Sequence, residues 1–488
     1  MHDLRRQALE SKKTVSRKQQ SRDASRASSR AQSAQNSPQS SRNASRNVSR
    51  HPSDDEDTQS DTTAWSSASL DDFFAGETEE ETPLEQAQIE LKDLITEITD
   101  RKRSSVQGRE IALGTYIRIL SSHNMEEGID GHVNDLLAAF AKSIKLESSE
   151  KETTLALKAV ALTAVTTSGD TVYDLMQSLV RRTATDSTSL PVKAAAIHCL
   201  GAISFFSGVD DEGLLEQMTF LLEIISSDGH YIDAPDDAAA VTAALEEWGF
   251  LATEVDDLEA DSADAIEAFT DQLESSDAGV QIAAGENIAL CYEKSYSPQR
   301  EGESLPDDDE DEIEDNFTGE EPYSTISDDE DDDGARLIKR YDAYHNTRHI
   351  MNVVDSLAHV SGRHINRKSK RSLHSNFSSI LNTIENPRRG PQYSKAIDSE
   401  THQHYGSRKT VKIQDNTYMR LDRWWKWLRL AGLRRVLGGG FVLHYFEGNR
   451  AVLDCLPVMV TQFNSGGSGR ANKPSRKGRR RKATELLG

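Results

Sequence analysis

An isoleucine or leucine returns at a nearly constant interval within alanine-rich stretches: Ile117, Leu162, Leu200, Leu245 and Ile288, at separations of 45, 38, 45 and 43 residues. This is the helical-hairpin period of HEAT and armadillo repeats. A hairpin of that kind leaves an apolar face that only a neighbouring hairpin can cover, so the pattern calls for stacking into a solenoid. The signature is clearest in Val192-Lys193-Ala194-Ala195-Ala196 with Leu200, and in Val280-Gln281-Ile282-Ala283-Ala284 with Ile288. Small alanines let neighbouring helices approach, and the leucine or isoleucine fills the shared layer. Chain breakers fall between the helices, at Ser168-Gly169, Ser207-Gly208, Asp228-Gly229 and Ala234-Pro235. The expectation is an all-α, ARM/HEAT-like solenoid of about five helical pairs over residues 83–296. A globular helical bundle is the plainer alternative.

Charge divides the 488 residues differently. The formal charge is −24, yet residues 1–50 carry +9 and residues 336–488 carry +20, which leaves 51–335 at −53. An acidic body between two basic ends is a statement about partners. Apolar residues are 36% of the chain, below the usual ~45–50%, so a sizeable fraction cannot be buried. The expected organisation is a disordered Ser/Arg-rich head at 1–82, the repeats at 83–296 and a disordered acidic insert at 297–335. A basic helical domain at 336–462 and a disordered basic tail at 463–488 complete it. In the head, Ser25, Ser29, Ser45 and Ser49 each follow an arginine by three residues, a basophilic-kinase pattern. Ser53 and Ser327 each precede four consecutive acidic residues, an acidophilic one; each phosphate would add about −1.5 to −2 charges.

The basic half concentrates its signals between Arg367 and Pro457. Arg367, Lys368, Lys370 and Arg371 precede Leu373, Phe377, Ile380, Leu381 and Ile384, whose spacing predicts an amphipathic helix behind a cationic entry. A second helix is expected over Tyr418–Leu437, with Leu421, Trp424, Trp425 and Leu428 on its core face. Its other arc carries Arg420, Arg423, Lys426, Trp427, Leu430 and Arg434, with Arg435 beside it. Cations can meet phosphates while an aromatic ring stacks on a base or sugar, so this arc is a candidate polyanion surface. Gly438-Gly439-Gly440 should end the helix. Residues 363–371 and 386–410 are expected as loops. Lys473, Arg476, Lys477, Arg479, Arg480, Arg481 and Lys482 form a basic run that suits nuclear import or RNA binding equally.

Several of these stretches resemble the C-terminal domain of the interferon-related developmental regulator family. They are Lys368 through Phe377 to Ile384, Tyr418 to Trp424, Leu433 to Gly440 with His444 and Asn449, and Val452 to Pro457. The resemblance covers about ninety residues and rests on the order and spacing of several motifs. It implies a helical-repeat, non-enzymatic protein linked to ribosome binding with translational silencing, and to transcriptional co-regulation.

The remaining chemistry is sparse. Walker, GxGxxG, GxSxG and CxxC patterns are absent from the sequence. His345 and His349 stand four apart without a third ligand, and the acidic insert lacks EF-hand register. Asp256, Asp257, Glu259, Asp261, Asp264 and Glu267 are expected to form a solvated helix face. Cys199, Cys291 and Cys455 are isolated, which fits a reducing compartment. With no apolar run long enough to span a bilayer, the expectation is a cytoplasmic and also nuclear monomer without cofactor or membrane. It would bind ribosome or ribosomal RNA through the basic half and protein partners along the repeats. The alternative is a nuclear co-regulator or scaffold that uses the repeat surface.

Overall fold

The computed structural model describes residues 84–101, 104–167, 169–299, 337–359, 367–397, 404–407, 409–414, 417–457 and 460–462. The six serine candidates and the basic run at 473–482 lie outside the described residues.

Helices pair along the chain as the period requires. Helix α1 (Leu84–Thr99) packs on α2 (Val106–Ser122), and after a single turn, α3 (Glu126–Ile129), α4 (Val133–Leu146) packs on α5 (Glu150–Thr166). Then α6 (Thr171–Asp186) pairs with α7 (Leu190–Phe206), and α8 (Asp211–Ser226) with α9 (Ala238–Ala252). The fifth pair is α10 (Glu259–Gln272) with α11 (Ala278–Lys294). The second member of each pair forms an inner layer, α2 against α5, α5 against α7, α7 against α9 and α9 against α11.

Local sequence sets these boundaries. Every one of the five inner helices opens on a side-chain cap: Ser105, Ser149, Ser189, Asp237 and Asp277 each accept a backbone N–H from the first turn. Such a cap is worth about 1 kcal/mol. Gly169, Gly208 and Gly229 take positive φ in the turns between helices, where a side chain would be strained. Outer helices bury one stripe, as α4 does with Leu136, Leu137, Phe140 and Ile144. Inner helices are buried nearly all round; in α9 Ala243 through Ala252 are all inside. That pattern marks a helix enclosed by neighbours. The acidic run of α10 lies on the outer layer, with Glu259, Asp264 and Glu267 exposed.

The stack does not stop at the fifth pair. Strand β1 (Tyr296–Pro298) pairs antiparallel with β2 (Leu337–Lys339), and α12 (Thr347–Ala358) with α13 (Arg367–Glu385) then forms a sixth hairpin against α11. Leu373, Phe377, Ile380 and Ile384 of α13 are buried, as their spacing requires. Gly285 of α11 makes the approach possible, because a Cβ there would stand 2.7 Å from Ile380 and 2.9 Å from Phe377. The sixth hairpin thus packs directly on the fifth, and residues 300–336 between them lie outside the described residues.

Three expectations fail from α13 onward. The helix that the spacing placed from Arg367 does start there, so 367–371 is not a loop. Residues 386–410 are not loop throughout either: β3 (Tyr393–Ile397) pairs with β4 (His404–Ser407). A three-stranded antiparallel sheet follows, β5 (Lys409–Gln414), β6 (Thr417–Leu421) and β7 (Val460–Gln462). The helix expected from Tyr418 therefore begins later, as α14 (Trp424–Leu437), because Arg423 is extended at φ −129°. Met419 and Leu421 are buried at a two-residue step, which is strand periodicity. Two short helices, α15 (Phe441–Phe446) and α16 (Arg450–Cys455), complete the described fold. These small sheets leave the protein in the all-α class.

Helix α14 reports the curvature of the array. Trp424 at its start touches the sixth hairpin through Thr383, and Gly440 just past its end lies on the backbone of Ser121 in α2. From Trp424 to Gly440 a helix covers about 25 Å. Six inner helices in a straight row would set the first and last about 40–50 Å apart. The inner layer must bend around α14, which lies on its concave side.

Replacing Gly285 with valine should cost about 1–3 kcal/mol by overpacking the fifth and sixth hairpins. Gly114→Ala, into open space on α2, should stabilise by up to about 1 kcal/mol. Denaturant melts of both variants check the six-hairpin stack; equal effects of the two would contradict it.

Candidate functional site

Two adjacent carboxylates, Glu246 and Glu247, interrupt the apolar run of α9 and face the concave side. Both are buried, and Arg435 of α14 lies between them. Its Nε donates to Glu247 Oε1 at 2.8 Å and stands 3.6 Å from Glu246 Oε2, while Nη2 donates to the Glu246 carbonyl at 3.2 Å. His198 of α7 shares the Glu247 carboxylate through Nδ1 at 2.8 Å. Glu247 itself lies over Gly201, where a Cβ would fall 2.1 Å from its oxygen. From α5, Lys158 Nζ donates to the Arg435 carbonyl. Burial opposes all these charges, but Glu247 and Glu246 more than compensate and hold the Arg435 guanidinium above its ordinary pKa. Burial likewise pushes Glu247 up, and Arg435 and His198 outweigh it, leaving that carboxyl below its usual range. For Glu246 burial prevails and the carboxyl is raised.

One and a half turns earlier, Arg429 makes a second anchor. Its Nε donates to Thr253 Oγ1 at 2.9 Å, Nη2 to the Thr253 carbonyl at 3.1 Å and to Glu254 at 2.5 Å, and Nη1 to the Cys455 carbonyl at 3.1 Å. The same guanidinium lies 5.3 Å from the Phe205 ring and 5.1 Å from Trp425, at cation–π distance. Gly432 follows, pressed on Phe250; a Cβ would come within 2.6 Å of that ring.

The start of α14 has no cap of its own, since Arg423 at the cap position supplies no acceptor. Glu293 of α11 takes that role, accepting the N–H of Trp424 at 2.8 Å and of Trp425 at 3.1 Å. An anion at a helix N-terminus meets its unpaired N–H groups and the positive end of its dipole. Indole Nε1 of Trp424 donates to Thr383 Oγ1 at 2.7 Å.

At the other end Gly438 leaves the helix at φ +58°, and Gly440 meets the first hairpin where a Cβ would stand 1.8 Å from the Ser121 carbonyl oxygen. His444 is fully buried. Its Nε2 donates to the Leu120 carbonyl at 2.8 Å, and Asn449 Nδ2 donates to its Nδ1 at 3.1 Å. Asn449 Nδ2 also reaches the Val165 carbonyl at 3.1 Å, and Asn449 Oδ1 caps α16. Glu447 accepts the Asn124 N–H at 2.6 Å and faces His123 Nδ1 at 2.9 Å. These contacts explain several residues that carried the family resemblance.

The sequence-derived arc is distributed among different roles. Leu430, placed on it, is wholly buried, and Arg435 is turned into the concave face. Trp427 is half-buried and packs against the core. Lys426 pairs with Asp422 at 3.0 Å, Arg434 lies over the Phe441 ring at 5.7 Å, and Arg423 sits electrostatically beside Glu293. Arg420 is half-buried at the end of β6. Trp425, expected in the core, is half-buried with Lys426 and Arg429 against its ring. On α13, Arg367 and Lys368 stand in the first turn, Lys370 is half-buried and Arg371 exposed. Sequence reasoning missed Glu246, Glu247, Glu293, His198 and Arg429. The available signal was a pair of carboxylates inside an otherwise apolar repeat helix.

Among the described residues no group of His, Cys, Asp or Glu is placed to hold a metal ion, and no helix is long and apolar enough to cross a membrane. Cys199, Cys291 and Cys455 are buried and unbridged.

The helical-repeat array, without the helix that closes it, matches a known family. The model of the interferon-related developmental regulators aligns with residues 49–385, ending at the last residue of the sixth hairpin. The chain belongs to that family, and membership supports a regulator-type role. A fission yeast protein (Schizosaccharomyces pombe), itself uncharacterised, is 26% identical over 391 residues, covering 79% of this chain and 78% of the relative.

Arg435→Ala leaves two buried carboxylates without their cation and should cost about 3–5 kcal/mol, whereas Arg435→Met with Glu247→Leu should recover much of it. Arg434→Ala should cost about 1 kcal/mol or less. Chemical denaturation of the three variants measures this.

Acid should also loosen the docking. Burial keeps the His444 pKa below its ordinary value, so the unfolded chain takes up the proton first. The stabilisation is complete above about pH 6.5 and declines as pH falls through that value. Protonated Nδ1 would also confront the Asn449 donor. His444→Gln should flatten this part of the stability–pH curve, measured by melts between about pH 7 and pH 5.

Proposed function

We propose that the protein is a non-enzymatic regulator that binds the ribosome, through ribosomal RNA, with the cations of its C-terminal third, and so modulates translation. The observation that supports this is the balance of charge. Residues 336–488 hold a net +20, while the concave face takes up Arg429 and Arg435 of α14. Arg371 and Arg388 at the sixth hairpin are exposed, and the basic run at 473–482 lies beyond the last strand. Helix α14 then serves as the strut that positions these cations, and the contact with phosphate falls on the entry of α13 and on the tail. The cytoplasm is the expected place of action, with the tail able to act as an import signal.

Sucrose-gradient sedimentation tests the proposal. The full chain should travel with ribosomes at about 50 mM salt and leave them by about 200 mM, since six to ten phosphate contacts lose roughly 10³–10⁵ in affinity over that range. Lys370→Glu with Arg371→Glu and a neutralised tail should abolish co-sedimentation at unchanged melting temperature. Association indifferent to both salt and charge reversal would instead favour protein–protein scaffolding.

A further inference from the structure

At one edge of the concave face the C-terminal ends of α5 and α7 open into a cleft of about 520 Å³, closed on its far side by α16. Both are 17-residue helices, and the unpaired carbonyls of a helix C-terminus carry partial negative charge. Carboxylates surround these ends. Asp170 and Asp454 line the cleft, both exposed, and neither carboxylate has a hydrogen-bond or ion-pair partner among the described residues. Asp170 even occupies the cap position of α6 without its side chain capping that helix. Glu126 adds a third carboxylate to the lining.

A separate observation concerns Ser207, the residue that closes α7. It is 3% exposed, lines the cleft, and its Oγ has no hydrogen-bond partner. A buried hydroxyl left unpaired costs free energy, and a rotation about the Cα–Cβ bond of Ser207, which lines the cleft, would offer it to a donor brought by a ligand. Between the polar groups the walls are apolar, formed by Val165 and Phe206. The carboxylates do not converge as a metal site would, and the volume far exceeds one ion. Negative groups dispersed around apolar wall fit cationic groups separated by methylenes.

We propose that this cleft binds an extended organic cation, primary ammonium groups carried on aliphatic spacers, as in a polyamine or the lysine side chains of a basic peptide. The ammonium groups meet Asp170, Asp454 and the helix ends, one N–H reaches Ser207 Oγ, and the methylenes lie on Phe206. Arg450, at the mouth, opposes a cation and favours an anion, so it gives the proposal a sign.

Hydrogen–deuterium exchange on the full chain is the test, because it localises binding and ignores diffuse attraction to acidic segments elsewhere. Spermidine or tetralysine should protect residues 165–170, 206–208 and 449–454. Asp170→Asn with Asp454→Asn should weaken that protection about three- to tenfold, and Arg450→Gln should strengthen it by about as much. Melting temperatures of the variants confirm that they fold. Protection by spermidine alone identifies a free polyamine, and protection by tetralysine alone identifies a protein side chain; either supports the site. The proposal is overturned if neither probe protects the cleft, if the variants respond like the parent, or if magnesium at equal charge protects equally.

Discussion

Glu246 and Glu247 lie side by side in the interior of α9, where a carboxylate without a partner would not stay charged. Their partner, Arg435, arrives from 188 residues further along the chain. Replacing such a buried pair with apolar groups is often neutral or stabilising, so the pair's value need not lie in net stability. An apolar helix in an apolar groove could slip by a turn. Here Arg435 can meet its two carboxylates in one register, and in that register Gly432 clears Phe250 and Gly440 clears Ser121. The charge selects the position and the glycines permit it.

Repeat arrays are usually quasi-one-dimensional, each unit sensing its neighbours alone. This one is not, because α14 and the residues after it touch hairpins from the first to the sixth. Glu293 holds one end of the strut, Leu120 and Asn124 receive the other, and Arg429 and Arg435 fix the middle. Curvature, which in an open solenoid can vary, is set by a rod of fixed length. Surfaces carried on separate hairpins, such as the entry of α13 and the cleft beside α16, are thereby held at defined separations.

The repeat period was legible because its signal is local: a recurrent Leu or Ile, alanines around it, a Ser or Asp before each inner helix. The sixth hairpin was not, because the insert interrupts the period and α13 uses Leu373 and Phe377 among serines instead of alanines. Strand β6 reads as helix in the sequence because Leu421 continues the apolar spacing of α14, although Met419 and Leu421 also satisfy a two-residue step. The basic arc was the instructive case. A helical wheel assigns cations to solvent on the assumption that the covering surface is apolar. The concave face of this array offers carboxylates, so part of a basic face is what it buries, and no window around Arg435 contains Glu247.

The distance in sequence between Glu247 and Arg435 is also a distance in time. A ribosome adding about 5–20 residues per second needs roughly 10–40 s to make the intervening 188 residues. Throughout that interval the earlier hairpins can stack, but their concave side has no rod, and its carboxylates have only water and His198 for company. The nascent array is therefore an acidic, open trough before it is a closed body. Whatever basic segments surround it during synthesis compete with a helix that has not yet been made.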